Sequence, residues 1–171
     1  MSGTSGSAVG GGAASGGAAR WLDEEEQATW RAFLGASQRV REALDRQLQR
    51  DAGMPHAYYL ILAMLSETEG RTLTMTELAR RTRSSPSRLS HAVSRLEAKG
   101  WVRRGRHEDD QRTTLATLTD AGMTELEGTA PGHVEQARQA LFDHLSREQV
   151  EQLHAICRAV LEGSEDGPLP T

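Results

Sequence analysis

The sequence predicts a mainly α-helical protein with one small β-hairpin. Apolar residues recur at helical spacing through most of the chain between residues 22 and 162. Several of these segments begin with a residue type that caps helices, and two are closed by a glycine. Two β-prone segments, "WVRRGR" and "TTLATLT", flank a polar turn at 107–112. We therefore expect six helices, with the hairpin between the fourth and the fifth.

The first two helices precede the part of the chain that is richest in arginine. From Leu22 to about Arg50 the chain is free of proline, and apolar residues follow helical spacing. "MPHAYYLILAMLSE" comes next, with Pro55 suited to a first helical turn and with an apolar run that predicts burial on several faces. Gly70 ends this second helix.

Two short helices follow, and both have clear start signals. Thr74 and Glu77 have the spacing of a capping box. Ser85 can cap the next helix, Pro86 takes its first turn, and Gly100 supplies a left-handed stop. The tight connection "TRSSP" between the two helices predicts a helix-turn-helix.

The second of these helices has two different faces. Its apolar stripe consists of Leu89, Ala92, Val93 and Leu96. Arg88, His91 and Arg95 recur at i, i+3 and i+7 on another face, among small serines. This pattern is typical of a recognition helix, and the hairpin after it is then a basic wing.

The last two helices are apolar on one side. The fifth begins at Thr119 or Asp120 and is expected to run through "LFDHL", with a kink at Pro131 and Gly132. The sixth, about Ser146–Glu162, opens with the capping-box pattern "SREQ". Its apolar stripe comprises Val150, Leu153, Ile156, Val160 and Leu161.

Basic residues are concentrated in the middle of the chain. The net charge is −4, but the span from Arg71 to Arg112 has 11 basic and 5 acidic residues, a local charge of +6. The remainder has 9 basic and 19 acidic residues, a charge of −10. This distribution is expected of a polyanion-binding surface, and a solvated arginine-rich face is the alternative.

Length and composition exclude several classes of protein. The 171 residues suit one domain, and no apolar run approaches the roughly 20 residues of a membrane helix. The N-terminus lacks the pattern of a signal peptide, so we expect a cytoplasmic protein. We find no glycine-rich phosphate loop, no nucleophile–base pair and no Cys/His cluster, so we expect no enzyme and no metal site. A non-DNA dimeric interaction module is an alternative function, but the local +6 charge disfavours it.

With "SRLEAKGWVRR", "DDQR" and "LTDAG" in this order, the chain resembles the MarR family of winged helix-turn-helix transcriptional regulators over roughly Leu22–Glu162. The family's wing pattern is matched by Asp110, Arg112, Leu118, Thr119 and Gly122. The resemblance implies a MarR-like domain over 20–162. Composition predicts a Gly/Ser/Ala-rich disordered tail at 1–19 and a short C-terminal tail at 163–171. Within it, 20–52 and 120–162 would form an intertwined dimerisation region, and 53–119 the DNA-binding part.

The resemblance also implies a DNA-binding surface on the fourth helix and the wing. We expect Ser87, Arg88, His91 and Arg95 to enter the major groove, with Arg88 as the main base reader. Arg88 and Arg95 contacting only phosphate, and His91 acting as a neutral spacer, are alternatives. Ser85 and the helix N-terminus suit a phosphate oxygen.

In the wing, the family pattern makes Arg112 the minor-groove contact and Asp110 the residue that positions it. We expect phosphate contacts from Arg83, Arg104 and Arg106. Glu108 and Asp109 either pair with Arg104 or Arg106 or are merely solvated residues of the turn.

Relatives of this kind are homodimers that bind pseudo-palindromic double-stranded operators, with half-sites about one helical turn apart. The candidate dimer interface consists of Phe142, Leu145, Leu153, Ile156 and Val160, and an ordinary intrachain core is the alternative. We expect no cofactor.

Many relatives release DNA when a small phenolic or anionic effector binds, so a repressor released by an effector is the expected function. Trp30, His56, Tyr58 and Tyr59 are candidates for that pocket, although simple core aromatics are the alternative. A redox response through Cys157 is a further alternative, but its apolar surroundings in "HAICRAV" favour a buried and inert thiol. His144 and His154 are expected to be surface histidines.

Overall fold

The computed structural model describes residues 19–107 and 110–163, so the two predicted tails fall almost wholly outside the described residues. Its described residues form six α-helices and three short strands: α1 Glu24–Ala52, α2 His56–Ser66, β1 Thr72–Thr74, α3 Met75–Arg81, α4 Pro86–Ala98, β2 Val102–Arg106, β3 Thr114–Leu118, α5 Asp120–Ala140 and α6 Arg147–Glu162. Two 3-10 turns lie at Glu69–Arg71 and Phe142–His144. The mainly α class with six helices and a β-wing is confirmed. Among the described residues, no helix is both long and apolar enough to cross a membrane.

The described part of the chain divides into two units, with the boundary between Leu34 and Gly35. In the first unit, Asp23 and Glu26 cap the start of α1 reciprocally. The main-chain N–H of Glu26 donates to Asp23 Oδ1 at 2.8 Å, and that of Asp23 donates to Glu26 Oε2 at 3.0 Å. Farther along, the rings of Trp30 and Phe33 stack with their centroids 6.1 Å apart.

The core of the second unit is built mainly around α2, α4 and the sheet. As the apolar run predicts, α2 buries residues on several faces, namely Tyr59, Ile61, Leu62 and Leu65. The predicted stripe of α4 is fully confirmed, because Leu89, Ala92, Val93 and Leu96 are all buried. Val102, Ala116 and Leu118 fix the base of the wing in the same core.

The wing belongs to a three-stranded antiparallel sheet with the order β1-β3-β2. Val102 pairs with Leu118 at the base of the hairpin, and Arg106 pairs with Thr114 near its tip. On the other side, Leu73 of β1 pairs with Ala116. We did not predict β1, because three residues become a strand only through a partner more than 40 residues away along the chain.

The helix-start caps read from the sequence form, but the capping box expected of Thr74 and Glu77 is only half present, because the Glu77 carboxylate bonds to Arg80 and Arg81 instead. Thr74 Oγ1 accepts the N–H of Glu77 at 3.1 Å, and Ser85 Oγ accepts the N–H of Arg88 at 3.4 Å. At the start of α6, Ser146 and Gln149 form a complete capping box. The left-handed stop after α4 is also confirmed, since Gly100 has φ 75°.

Helix α5 differs from the prediction at its end. It is capped by Thr119 and continues through Pro131, but it stops at Ala140 and does not run through "LFDHL". Leu141 leaves the helical region with φ −136° and ψ −65°, and a 3-10 turn follows. The capping box of α6 begins only five residues after Leu141, which leaves room for that single turn.

Helix α6 has an apolar stripe, yet none of its residues is buried in the single chain. Cys157 lies on this helix and is exposed. The prediction of a buried thiol was therefore wrong for the single chain, because an apolar sequence context buries a side chain only where another element covers it.

Candidate nucleic-acid interface

The outer face of α4 carries the predicted groove-binding side chains. Ser87, Arg88, His91 and Arg95 are all exposed, on the side of the helix away from its buried stripe. The cap by Ser85 uses one of the free N–H groups of the first turn, and others remain directed along the helix axis. The structure thus brings the four predicted residues together on one accessible helix surface.

The connection between α3 and α4 is tight and fixes the angle at which α4 is presented. The N–H of Ser84 donates to the carbonyl of Ala79 at 3.0 Å, and that of Arg83 donates to the carbonyl of Arg80 at 3.2 Å. Arg83 itself has φ 48°, in the left-handed region that side chains with a Cβ rarely adopt. Its side chain is exposed at this corner.

Part of the positive charge counted in the sequence is already neutralised. Glu77 accepts hydrogen bonds from the guanidinium groups of Arg80 and Arg81, at 2.7 to 2.9 Å. The bonds from Arg80, and next those from Arg81, lower the pKa of the Glu77 carboxyl to about 2. Arg71 is paired in the same way with Asp120, at 3.1 Å. The basic surface is therefore narrower than the sequence suggests.

The turn of the wing is organised by Asp110. Its carboxylate accepts the main-chain N–H of Arg112 at 3.0 Å and the hydroxyl of Thr113 at 2.6 Å. These two bonds, that from Thr113 first, lower the pKa of the Asp110 carboxyl. Asp110 thus acts on the backbone at Arg112, whose side chain is exposed. Glu108 and Asp109, and with them their predicted pairing, lie outside the described residues.

The two wing arginines of β2 have different surroundings. Arg106 is exposed, and its Nη1 lies 3.3 Å from Thr114 Oγ1 and 3.5 Å from the carbonyl of Arg112. Arg104 is instead held by Glu97, through bonds from Nε at 2.9 Å and from Nη2 at 2.7 Å. Glu97 and Thr114 were not among the predicted site residues, because their partners lie seven or eight positions away across a turn.

Two of the candidate effector residues lie together at the start of α2. The ring of Tyr59 is buried against His133 of α5, with centroids 4.0 Å apart, and the ring of His56 lies 5.3 Å from the ring of His133. Burial lowers the pKa of both histidines. Tyr58 is partly buried against the core. Trp30 belongs to the first unit, where half of it is exposed.

The candidate interface residues lie outside the buried core of the chain. Phe142, Ile156 and Val160 are exposed by 43%, 61% and 68%, while Leu145 and Leu153 are partly covered. His144 and His154 are on the surface, as expected. Within the described ranges, no group of three or more His, Cys, Asp or Glu side chains is placed to hold a metal ion.

Known proteins share both the sequence pattern and the fold. Residues 52–113 match the model of the MarR family. The transcriptional regulator TtmR of Methylorubrum extorquens is 32% identical over 119 residues, which cover 64% of this chain and 60% of TtmR. The regulator PapX of Escherichia coli is 24% identical over 67% of this chain and 69% of its own.

Among solved structures, Sco3205 of Streptomyces coelicolor, a MarR family transcriptional regulator crystallised in complex with DNA, is 51% identical and has a TM-score of 0.83. The alignment covers 89% of this chain and 96% of Sco3205. AbsC, from the same organism, is 36% identical over 84% of this chain and 97% of its own, with a TM-score of 0.80. The chain therefore belongs to the MarR family of transcriptional regulators.

Proposed function

We propose that the chain is a regulator that binds double-stranded DNA sequence-specifically, with α4 in the major groove and the wing in the adjacent minor groove. The observation that carries this proposal is the exposed face of α4, where Arg88, His91 and Arg95 stand among serines beside a rigid helix-turn-helix corner. The 51% identity to Sco3205, a protein crystallised with DNA, supports it.

Each side chain has a distinct role in this proposal. Arg88 lies in the first turn of α4, where a guanidinium can form a bidentate pair with the acceptors of guanine. Arg112 enters the minor groove, whose negative potential attracts arginine. Ser85, Arg83 and Arg106 contact phosphates and set the register.

We further propose that the regulator is a homodimer that reads a pseudo-palindromic operator. Support comes from α6, which has an apolar stripe but buries no residue within the single chain. A second copy that covers Phe142, Ile156 and Val160 removes this apolar surface from water, the main driving force of association.

The finer part of the proposal is a repressor released by a small phenolic or anionic effector. The cluster of His56, Tyr59 and His133 supports it, since a phenol can stack there and an anion can accept hydrogen bonds from imidazole. The cluster joins α2 to α5, so a ligand bound there would change how the two helices pack.

The experiment is a binding measurement with the full chain. A duplex is selected by the wild-type protein from a random library, and its affinity is then measured by fluorescence anisotropy. Arg88→Ala should weaken binding roughly 10- to 100-fold, the range of one bidentate base contact, and Arg112→Ala should weaken it comparably. Arg46→Ala, which removes the same charge from an exposed position on α1, is the control. Unchanged affinity in both test variants would refute the assigned roles.

A further inference from the structure

Arg104 is bonded to α4 through both its side chain and its main chain. Its Nε and Nη2 donate to Glu97 Oε2 at 2.9 and 2.7 Å, and Nη2 also donates to Ser94 Oγ at 3.1 Å. Its main-chain N–H donates to Glu97 Oε1 at 3.2 Å. Both oxygens of one carboxylate thus hold one residue by its backbone and by its side chain.

These bonds join two elements that contact DNA in the proposed complex. Glu97 and Ser94 lie in the last two turns of α4, and Arg104 is the middle residue of β2. The short connection between them passes through Gly100, whose left-handed φ of 75° sets the change of direction. Ser94 in turn donates to the carbonyl of Ser90 at 2.9 Å, so the network is anchored on the body of the helix.

The same bonds make Arg104 a poor phosphate ligand. The charge of its guanidinium is balanced by Glu97, and a phosphate would have to compete with an ion pair that is already formed at 2.7 Å. Arg106, two residues farther along β2, is exposed, and in the described part of the wing its Nη1 lies near two neutral oxygens, Thr114 Oγ1 at 3.3 Å and the carbonyl of Arg112 at 3.5 Å. The two side chains therefore have different tasks.

We propose that Glu97 is a positioning residue for DNA recognition: it clamps Arg104 so that the wing keeps a fixed orientation relative to α4, and Arg104 is a strut rather than a phosphate contact. This inference rests on the proposed DNA-binding function. A wing held in this way presents Arg112 to the minor groove while Arg88 is engaged in the major groove, which favours a specific site over random DNA.

The test compares two isosteric variants that change the net charge equally. Glu97→Gln removes the negative charge and one of the two acceptor oxygens of the clamp. Glu77→Gln is the matched control, because Glu77 also pairs with arginines but only within α3. Affinities are measured for the duplex selected by the wild-type chain and for a random-sequence duplex of equal length. For Glu97→Gln we expect the ratio of the two affinities to fall about tenfold, the order of the loss of one hydrogen bond to a charged group, whereas Glu77→Gln should keep the wild-type ratio.

Arg104→Ala gives an independent readout. Each phosphate contact contributes about 0.9 to the slope of log affinity against log salt concentration. We expect Arg104→Ala to lower the affinity ratio and leave this slope unchanged, and the double variant with Glu97→Gln to be no weaker than Arg104→Ala alone. The inference would be overturned by a salt slope that is lower by about 0.9 in Arg104→Ala, the value of one phosphate contact. It would also be overturned by additive effects in the double variant, or by a wild-type affinity ratio in Glu97→Gln. Melting curves identify any variant that does not fold, in which case Arg104→Gln replaces it. If the wild-type chain selects no sequence at all, the proposed function itself fails.

Discussion

Gly122 offers the sharpest test of how the wing and α5 are joined. It is the glycine of "LTDAG", in the first turn of α5, and it is packed against the backbone of Trp101. A Cβ built at this position would lie 2.1 Å from the carbonyl oxygen of Trp101 and 2.7 Å from Leu118 Cδ1. Only a residue without a side chain fits there, so we expect Gly122→Ala to destabilise the protein.

The size of this destabilisation can be estimated from how far the start of α5 must shift away from Trp101. Ordinary contacts of a Cβ begin at 3.4 Å, so the start of α5 has to shift by about 1.3 Å, the difference from 2.1 Å. The Trp101 carbonyl cannot yield easily, because it accepts the N–H of Thr119 at 3.0 Å, and the neighbouring carbonyl of Gly100 accepts the Thr119 hydroxyl at 2.6 Å. Overpacking costs roughly 1–3 kcal/mol and each lost hydrogen bond about 1 kcal/mol, against about 1 kcal/mol gained from helix propensity. We expect a net loss of about 3 kcal/mol, or a melting temperature about 10 °C lower.

The assay is thermal and urea unfolding, with Gly128→Ala as the control. Gly128 lies in the same helix, and a Cβ there would meet nothing within 4 Å. That variant should therefore be more stable by about 1 kcal/mol, from helix propensity alone. If Gly122→Ala is as stable as Gly128→Ala, the close packing of α5 against Trp101 is refuted.

Two further predictions concern the histidine cluster and α6. Burial lowers the pKa values of His56 and His133 from the ordinary 6.5. The free energy of unfolding that the two neutral imidazoles contribute is therefore fully present above pH 6.5, and it is lost as the pH falls through the lowered values. Melting temperatures at pH 7.5 and 5.5 should differ less in His133→Gln than in the wild type, and an equal difference would contradict this. Ile156→Glu should dissociate the proposed dimer in sedimentation equilibrium, because a charge would be buried at the proposed interface. An unchanged mass would place the interface elsewhere.

The helix starts and the core of the DNA-binding part could be read from the sequence because their causes are local. A cap depends on one side chain and on an N–H group two or three residues later. This is why Thr74, Ser85 and Ser146 have the predicted hydrogen bonds. The apolar stripe of α4 was equally predictable, since helical spacing alone places its four members on one side.

The features that were missed depend on contacts between distant segments. Strand β1 exists because Leu73 meets Ala116, and no periodicity in three residues can indicate that pairing. The exposure of Cys157 depends on which surface covers α6, a property that the helix's own sequence does not contain. The early end of α5 is a different case, because Leu141 leaves the helical region at a place where the sequence has neither proline nor glycine to signal it.

The same distinction separates the two wing residues whose roles changed most. Asp110 was expected to orient the side chain of Arg112, and the contact found is with its main-chain N–H, a bond over two residues that belongs to turn formation. Arg104 was expected to face phosphate, but its strongest partner is an acid on the preceding helix. Asp110 and Glu97 therefore act in the DNA-free protein, where they fix the shape of the wing. Consequently, the affinity of this protein for DNA in general should depend on its exposed arginines, whereas its choice among sequences should depend on Asp110 and Glu97 as well.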